Sequence, residues 1–278
     1  MNFIFSTGSL YTYSLARCFA LAAAAGFDGI ELMVDPRWDT RQPEHIHALT
    51  AQYGLPILAV HSPFSGVAGW PEEEAGRIHF SARLAENVGA PVVIHHLPAR
   101  VDMVRVSLGP QRFSFPLPGI NGQEEYANWL EDGYAQLQAA TTVKLCIENM
   151  PARTVWGRRL NAHYWNTPDA LSRFPHITMD TTHLGTWGMD PLAAYERWGE
   201  QIGHVHLSNF DGREHRLPEA GVLRLDRLLA RLARDHYAGA ISLELHPDAV
   251  GAGLDDDVII ARLAASLQQC RLWTDAGR

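Results

Sequence analysis

The sequence predicts an α/β protein whose parallel strands close into a single (β/α)8 TIM barrel. Short apolar runs alternate with helical patterns eight times along the chain, which is typical of right-handed βαβ units. The length of 278 residues fits one barrel domain, since such barrels take about 250 residues. The alternative is an open doubly wound sheet, which would normally carry a Gly-x-Gly-x-x-Gly loop after its first strand. The corresponding segment, STGSLYTYS, lacks that pattern.

Each predicted strand is a short apolar run, and each is followed by a predicted helix. The strand candidates are 2–6, 28–33, 56–61, 91–96, 143–148, 176–180, 202–207 and 240–245. The helix candidates lie near 12–25, 43–53, 72–88, 123–140, 167–174, 190–199, 222–236 and 255–271. Apolar residues in the last two helices recur every three or four positions, which predicts the faces that pack on the barrel. These residues are Val222, Leu225, Leu228, Leu229 and Leu232, then Ile259, Leu263 and Leu267.

One connection is much longer than the others. Residues 97–122, between the fourth strand and the helix after it, are punctuated by Pro and Gly and show no clear period. A loop of this length in a compact domain is usually a lid, a binding loop or an oligomer contact. We predict an irregular loop here and take it as the candidate contact of a homo-oligomer. A second irregular stretch, residues 150–166, follows the fifth strand.

The composition argues against several classes of function. A formal net charge of -8 and a pI of about 5.9 predict no basic surface for nucleic acid. The chain has no run of 18 apolar residues, so we expect no membrane span. The N-terminal MNFIFSTGSL reads as a first strand because it lacks the charged and apolar regions of a signal peptide. Cys18, Cys146 and Cys270 lie in apolar patterns, as expected of buried thiols in a cytoplasmic protein.

Polar side chains stand at or near the ends of the last four apolar runs. Glu148 ends KLCIE, Asp180 ends HITMD, His206 lies in HVHLSN and Glu244 lies in ISLELH. Parallel barrel strands present their carboxyl ends on one face, so these side chains should converge. Because burying each charge alone is costly, a shared divalent ion is the simplest compensation. Three carboxylates and one imidazole suit Mn²⁺, Zn²⁺, Co²⁺ or Mg²⁺.

The other predicted strand ends add further acids and imidazoles to the same face. A single histidine at a strand end is more often exposed or hydrogen-bonded than a metal ligand. The repetition over most of the strands favours a metal site with an outer ring of substrate-binding groups. The candidates for this ring are Glu31, His61, His95, His96, His183, Arg213 and His215.

These motifs resemble the xylose-isomerase-like TIM barrels, which include sugar isomerases, sugar 3-epimerases, hydroxypyruvate isomerase, inosose dehydratase and endonuclease IV. The resemblance covers essentially the whole chain, with GFDGIEL, IEN, MDTTHLG, HVHLSN and LELH as its most specific parts. It implies that Glu148, Asp180, His206 and Glu244 take the metal-ligand positions. It further implies that Glu148 and Glu244 act as acid and base, and that His183 touches the substrate or a second metal.

The predicted function is a divalent-metal-dependent isomerase or epimerase of a small sugar, sugar acid or related hydroxy-carbonyl compound. Proton transfer would pass through a metal-stabilised enediolate, with two carboxylates moving the proton. No motif for an organic cofactor is present, so the expected partner is a small carbohydrate-like molecule. A sugar or inosose dehydratase is an alternative. A barrel that binds a metal or a partner without catalysis is another, which the presence of both Glu148 and Glu244 disfavours.

A phosphodiesterase resembling endonuclease IV is the alternative of a different class. That branch holds three zinc ions with further histidines on the third and fourth strands, where this chain has His61 and His95. It also uses an Asp-x-His pair after the seventh strand. Here Arg213-Glu214-His215 stands in that place, so Arg213 would replace a ligand and instead suit an anionic substrate group. The net negative charge of the chain also argues against DNA as the substrate.

Overall fold

The computed structural model describes the backbone of residues 1–108, 111–121 and 123–277, and side chains outside 102–122. Within these residues there are twelve strands, numbered β1 to β12: Asn2–Ser6, Gly29–Met33, Ile57–His61, Val92–His96, Val101–Leu108, Gln111–Asn121, Lys144–Glu148, Arg153–Val155, Arg158–Leu160, Ile177–Asp180, Ile202–Leu207 and Ala240–Leu243. Eight of them form a closed barrel in the order β1-β12-β11-β10-β7-β4-β3-β2. All neighbouring pairs in the barrel are parallel.

The predicted barrel is confirmed, and each predicted barrel strand agrees with an observed one to within two residues. The register of these strands positions the site. His96 on β4 pairs with Glu148 on β7, and Asp180 on β10 pairs with His206 on β11. Polar residues that are distant in sequence are therefore adjacent at the carboxyl end of the barrel.

Eleven α-helices, α1 to α11, are found in the described chain, and most of them cover the outside of the barrel. They are Leu15–Ala25, Pro43–Tyr53, Glu74–Val88, Glu124–Asp132, Tyr134–Ala140, Pro168–Leu171, Thr181–Trp187, Pro191–Trp198, Leu225–Arg234, Pro247–Val250 and Asp256–Asp275. Short 3-10 turns occupy Thr7–Leu10, Trp38–Arg41 and Gly199–Gln201. The short helices α7 and α10, which come after β10 and β12, were not predicted.

Two of the helix predictions need correction. The helix predicted over 123–140 is divided into α4 and α5 at Gly133, where a Cβ atom would lie 2.4 Å from Trp129 Nε1. Helix α9 begins only at Leu225, so Val222 lies before the helix and is 72% exposed. The remaining apolar residues of the two predicted stripes are buried, as expected: Leu225, Leu228, Leu229, Leu232, Ile259, Leu263 and Leu267.

The segment predicted as a long irregular loop, 97–122, contains an antiparallel ribbon of β5 and β6. Residues 109, 110 and 122 of that prediction lie outside the described residues. Pro and Gly in this segment suggested a loop, but both strands of a two-stranded ribbon are edge strands, where Pro is tolerated. A second ribbon, β8 and β9, interrupts the other stretch predicted to be irregular. Its two-residue turn, Trp156-Gly157, has φ of 48° and 76°. Positive φ at both central residues is what a tight type I′ hairpin turn requires.

The apolar core lies between the barrel and the surrounding helices. Cys18, Cys146 and Cys270 are buried free thiols, as predicted. None of the helices in the described part of the chain is both long and apolar enough to cross a membrane.

Candidate metal centre

Glu148, Asp180, His206 and Glu244 come together at the carboxyl end of the barrel. Glu148 and Asp180 end β7 and β10, His206 lies near the end of β11, and Glu244 directly follows β12. One potential ligand atom from each residue lies within 4.8 Å of the other three. His206 Nδ1 is 3.1 Å from Glu148 Oε1, 3.1 Å from Glu244 Oε2 and 3.7 Å from Asp180 Oδ2. This grouping matches the set predicted from the four strand ends.

The chemistry of this group fits a divalent ion. Glu148, Asp180 and His206 are at most 1% exposed. Glu148 Oε2 and Asp180 Oδ2 are buried and have no hydrogen-bond partner among the described residues. A buried carboxylate oxygen without a partner is costly, and coordination to a cation would remove that cost. A set of carboxylates and one imidazole is suited to Mn²⁺, Zn²⁺, Co²⁺ or Mg²⁺.

Strong electrostatic interactions hold Glu148, His206 and Glu244 in their charged forms. Burial opposes protonation of His206, but the carboxylates of Glu31, Glu244 and Glu148 outweigh it and raise the pKa of His206 well above its usual value. Burial also opposes ionisation of Glu148 and Glu244. The charge of His206 outweighs it, holding the pKa of Glu148 well below its usual range and lowering the pKa of Glu244 to about 2. A cation bound at Nδ1 would replace the proton of His206 as the counter-charge.

Glu31 supports His206 from inside the barrel. Its Oε2 accepts hydrogen bonds from His206 Nε2 at 2.9 Å and from His204 Nε2 at 2.7 Å. Nε2 of His206 therefore carries the proton that Glu31 accepts, and Nδ1 is directed at the carboxylates. A hydrogen-bonded carboxylate behind a ligating imidazole fixes the orientation of the ring. His204 was not among the predicted site residues, although it lies two residues before His206 and so on the same face of β11.

Substitution of Glu31 by Gln is expected to weaken binding of a divalent ion about 10- to 100-fold, the usual effect of losing such support. Because the four proposed ligands are unchanged, the loss of metal affinity would come from the weaker orientation of the His206 ring. Metal affinity can be measured by competition with a chelator, with Glu44→Gln on the exposed side of α2 as the control. Equal affinities for the Glu31 and Glu44 variants would contradict the supporting role of Glu31.

His61 and His96 approach the other oxygen of Glu148. Their Nε2 atoms lie 3.4 Å and 3.3 Å from Glu148 Oε2. His61 Nδ1 donates to the carbonyl oxygen of Ser62 at 2.8 Å, so Nε2 is the nitrogen left to face the site. These three residues form a second group with the geometry to hold an ion.

His95 does not join the site, which corrects its inclusion in the predicted ring. Successive side chains of a strand point to opposite faces, so His95 and His96 cannot both face the barrel mouth. His95 Nδ1 lies 2.7 Å from the hydroxyl of Tyr126, which donates to the carbonyl oxygen of His96. Burial lowers the pKa of His95 to about 3, which favours the neutral imidazole. The ring packs against Tyr126 and does not face the site.

His183 and His215 form a third group with Asp180. Asp180 Oδ1 caps α7 by accepting from the backbone N–H of His183 at 2.8 Å, which holds both residues in place. His183 Nδ1 donates to the carbonyl oxygen of Asn149 at 2.8 Å, and its Nε2 lies 3.8 Å from Glu214 Oε2. Glu214 was not among the predicted site residues.

Arg213 lies outside the centre, which corrects its predicted place in the ring. Its side chain is 71% exposed and pairs with Asp211 at 3.0 Å. The carboxylate of Glu214 takes the position beside His183 instead. His215 has a left-handed backbone conformation, with φ of 58°. A histidine seldom adopts this conformation, so the sequence offered no signal for it.

Comparisons with known proteins agree with this architecture. A family model described as xylose isomerase-like TIM barrel matches residues 19–270. An uncharacterized protein of Mycobacterium leprae is 28% identical over 292 residues, covering 96% of each chain. D-psicose 3-epimerase of Clostridium cellulolyticum H10, solved with D-tagatose, superimposes with a TM-score of 0.69 at 14% identity and 99% coverage of both chains. For 3-keto-D-glucoside 4-epimerase of E. coli the TM-score is 0.67 at 17% identity, with 98% of this chain and 99% of that chain covered. Because the family model spans most of the sequence, this chain belongs to the xylose isomerase-like TIM barrel family.

Proposed function

We propose that the protein is a divalent-metal-dependent isomerase or epimerase of a small sugar, sugar acid or related hydroxy-carbonyl compound. The observation that carries the proposal is the convergence of Glu148 and Glu244, from non-adjacent strands, on His206 Nδ1 at 3.1 Å each. They meet within a group of atoms suited to one ion. The similarity in fold to proteins described as sugar epimerases supports the same reaction class.

The two glutamates are suited to proton transfer next to a carbonyl group. Their low pKa values keep both as carboxylates at neutral pH, so either can accept a proton from a substrate carbon. Glu244 is the more accessible, since its side chain is 15% exposed and that of Glu148 is 1% exposed. A bound divalent ion supplies Lewis-acid stabilisation of negative charge on the substrate oxygens. Return of the proton by the same carboxylate or by the other one would give isomerisation or epimerisation.

One observation favours a second candidate function, cleavage of a phosphodiester. The groups His61–His96–Glu148 and Asp180–His183–His215 each have the geometry for a further ion, and Glu214 adds a carboxylate beside the second of them. Several neighbouring ions are typical of metal-dependent phosphodiester hydrolysis. The net charge of -8 weighs against a DNA substrate, so this function is the second choice. A metal-dependent dehydratase of a sugar or inosose would use the same carboxylates.

Solvent exchange tests the choice between these functions. The protein is loaded with Mn²⁺, Co²⁺, Zn²⁺ or Mg²⁺ in separate samples, and its metal content is measured. Each sample is incubated in deuterated water with a panel of ketoses and aldoses. Deuterium should appear, by NMR, at the carbon next to the carbonyl, and chelation should stop it. Cleavage of abasic DNA without exchange in any sugar would replace the proposal with phosphodiester hydrolysis.

A further inference from the structure

Phe64 presents an exposed aromatic ring at the mouth of the barrel. It lies three residues after the end of β3 and is 60% exposed. Its ring is parallel to that of His96, with ring centroids 5.4 Å apart and an interplanar angle of 6°. The ring of His61 meets it edge-on, at a centroid distance of 6.4 Å. One face of the phenyl ring therefore lies on an imidazole, while more than half of the surface of Phe64 is open.

The same two imidazoles connect Phe64 to the carboxylates of the site. The Nε2 atoms of His96 and His61 lie 3.3 Å and 3.4 Å from Glu148 Oε2. A single imidazole therefore separates the phenyl ring from the carboxylate to which we assign proton transfer. A sugar that reacts at Glu148 is long enough to meet Phe64 with its other end.

The segment that carries Phe64 is held on both sides. The backbone N–H of Ser62 donates to the carbonyl oxygen of Ile94 at 2.8 Å, which continues the pairing of β3 with β4. The carbonyl oxygen of Pro63 accepts a hydrogen bond of 3.1 Å from Nε of Arg77, a residue of α3 that is 5% exposed. Because buried groups fix the backbone next to Phe64, binding at its ring requires little further loss of conformational freedom.

The open surface of the phenyl ring favours an apolar part of a ligand over a hydroxyl group. A hydroxyl placed against the ring loses hydrogen bonds to water and receives no equivalent partner, which is costly. A methyl group in the same place loses no hydrogen bond, and its burial removes apolar surface from water. The ring can therefore discriminate between two sugars that differ only in the group that they present to it.

We propose that Phe64 is a specificity-determining residue that packs against an apolar end of the substrate. The protein then prefers a sugar that ends in a methyl group to one that ends in a hydroxymethyl group. The carbonyl end of this sugar lies at the carboxylates, and its methyl end lies on the phenyl ring. This inference rests on the proposed function and specifies the substrate as a deoxy sugar.

The test compares Phe64→Ala with Phe80→Ala in the metal-loaded protein. Phe80 is the matched control because it is a second phenylalanine, is 36% exposed, and packs on Trp70 from helix α3. The ligands are ketohexoses, each paired with its own 6-deoxy form, and affinities are measured by calorimetry. In the pair that binds most tightly, wild type and Phe80→Ala should prefer the 6-deoxy form at least about 4-fold, the effect of burying one methyl-sized group.

Phe64→Ala should bind the two members of that pair equally, because the apolar surface is gone. Phe64→Leu should keep part of the preference, since its side chain is smaller but still apolar. Equal affinities of wild type for the two members of every pair would overturn the proposal, and this comparison does not depend on the folding of any variant. A preference that is unchanged in Phe64→Ala would also overturn it.

Metal affinity distinguishes this role from simple support of the His96 ring. A supporting role would lower the affinity of Phe64→Ala for the ion and for both members of a pair alike. We expect instead that competition with a chelator gives the same metal affinity for Phe64→Ala and wild type. A loss of metal affinity together with an equal loss for both sugars would reject the assignment of Phe64 to substrate specificity.

Solvent exchange, followed in the same samples, separates this inference from the proposed function. Exchange that is equally fast with and without the 6-hydroxyl, in wild type and in Phe64→Ala, would retain the isomerase or epimerase function and reject the role of Phe64. A preference for the 6-deoxy sugar that depends on Phe64, with no exchange in any ligand, would retain the binding site and reject the reaction.

Discussion

Glu148→Gln and Glu244→Gln should each lower the rate of deuterium exchange into the substrate by at least about 100-fold, the lower range for loss of a general base. Both side chains are carboxylates at neutral pH, with pKa values held below the usual range by His206. An amide of the same shape cannot accept the proton. Exchange is followed by NMR in deuterated water with the substrate that responds best to wild type.

The metal content of each glutamine variant separates catalysis from ligation. An amide oxygen remains a weak ligand, so part of the ion should be retained at saturating metal, and exchange should still be slowed to the same extent. Glu196→Gln serves as the control, because Glu196 lies on α8 and pairs with Arg231. Exchange at the wild-type rate in either variant at the centre would remove that glutamate from the proton-transfer role.

Asp180 substitutions should have the largest effect on metal binding. Asp180 is fully buried, and its Oδ2 has no hydrogen-bond partner among the described residues. Asp180→Ala should lower the affinity for the ion by at least about 100-fold, more than the loss of a supporting hydrogen bond. Binding is measured by calorimetry or by the metal retained after dialysis. His45→Ala, on helix α2, is expected to bind the ion as wild type does.

Asp180→Asn distinguishes loss of a ligand from loss of structure. The Oδ1 atom of Asp180 caps α7, and Asn caps helices about as well as Asp. The Asn variant should therefore keep the stability of the metal-free protein and still lose most of the affinity. The Ala variant should also lose about 1 kcal/mol of the free energy of unfolding, the usual value of a cap. Full metal occupancy in both variants would show that Asp180 is not a ligand.

Much of the site was readable from the sequence because the barrel converts strand order into proximity. Any polar residue near the carboxyl end of a parallel strand is brought to the same mouth. For this reason the strand ends predict that Glu148, Asp180, His206 and Glu244 lie together, and in the structure one potential ligand atom of each lies within 4.8 Å of the others. The same rule is wrong for His95, because it identifies strand ends and not the face to which each side chain points.

The strand-helix alternation and the polar strand ends by themselves determined the barrel and the position of its chemistry, because both follow from local periodicity. Tertiary structure alone decided how the individual side chains are used. Glu31 lies beneath His206 because β2 and β11 face each other across the barrel interior. Glu214 lies beside His183, whereas Arg213 pairs with Asp211. The contacts of Glu31 with His206 and of Glu214 with His183 join residues that are distant in the chain, and no spacing of residue types encodes them.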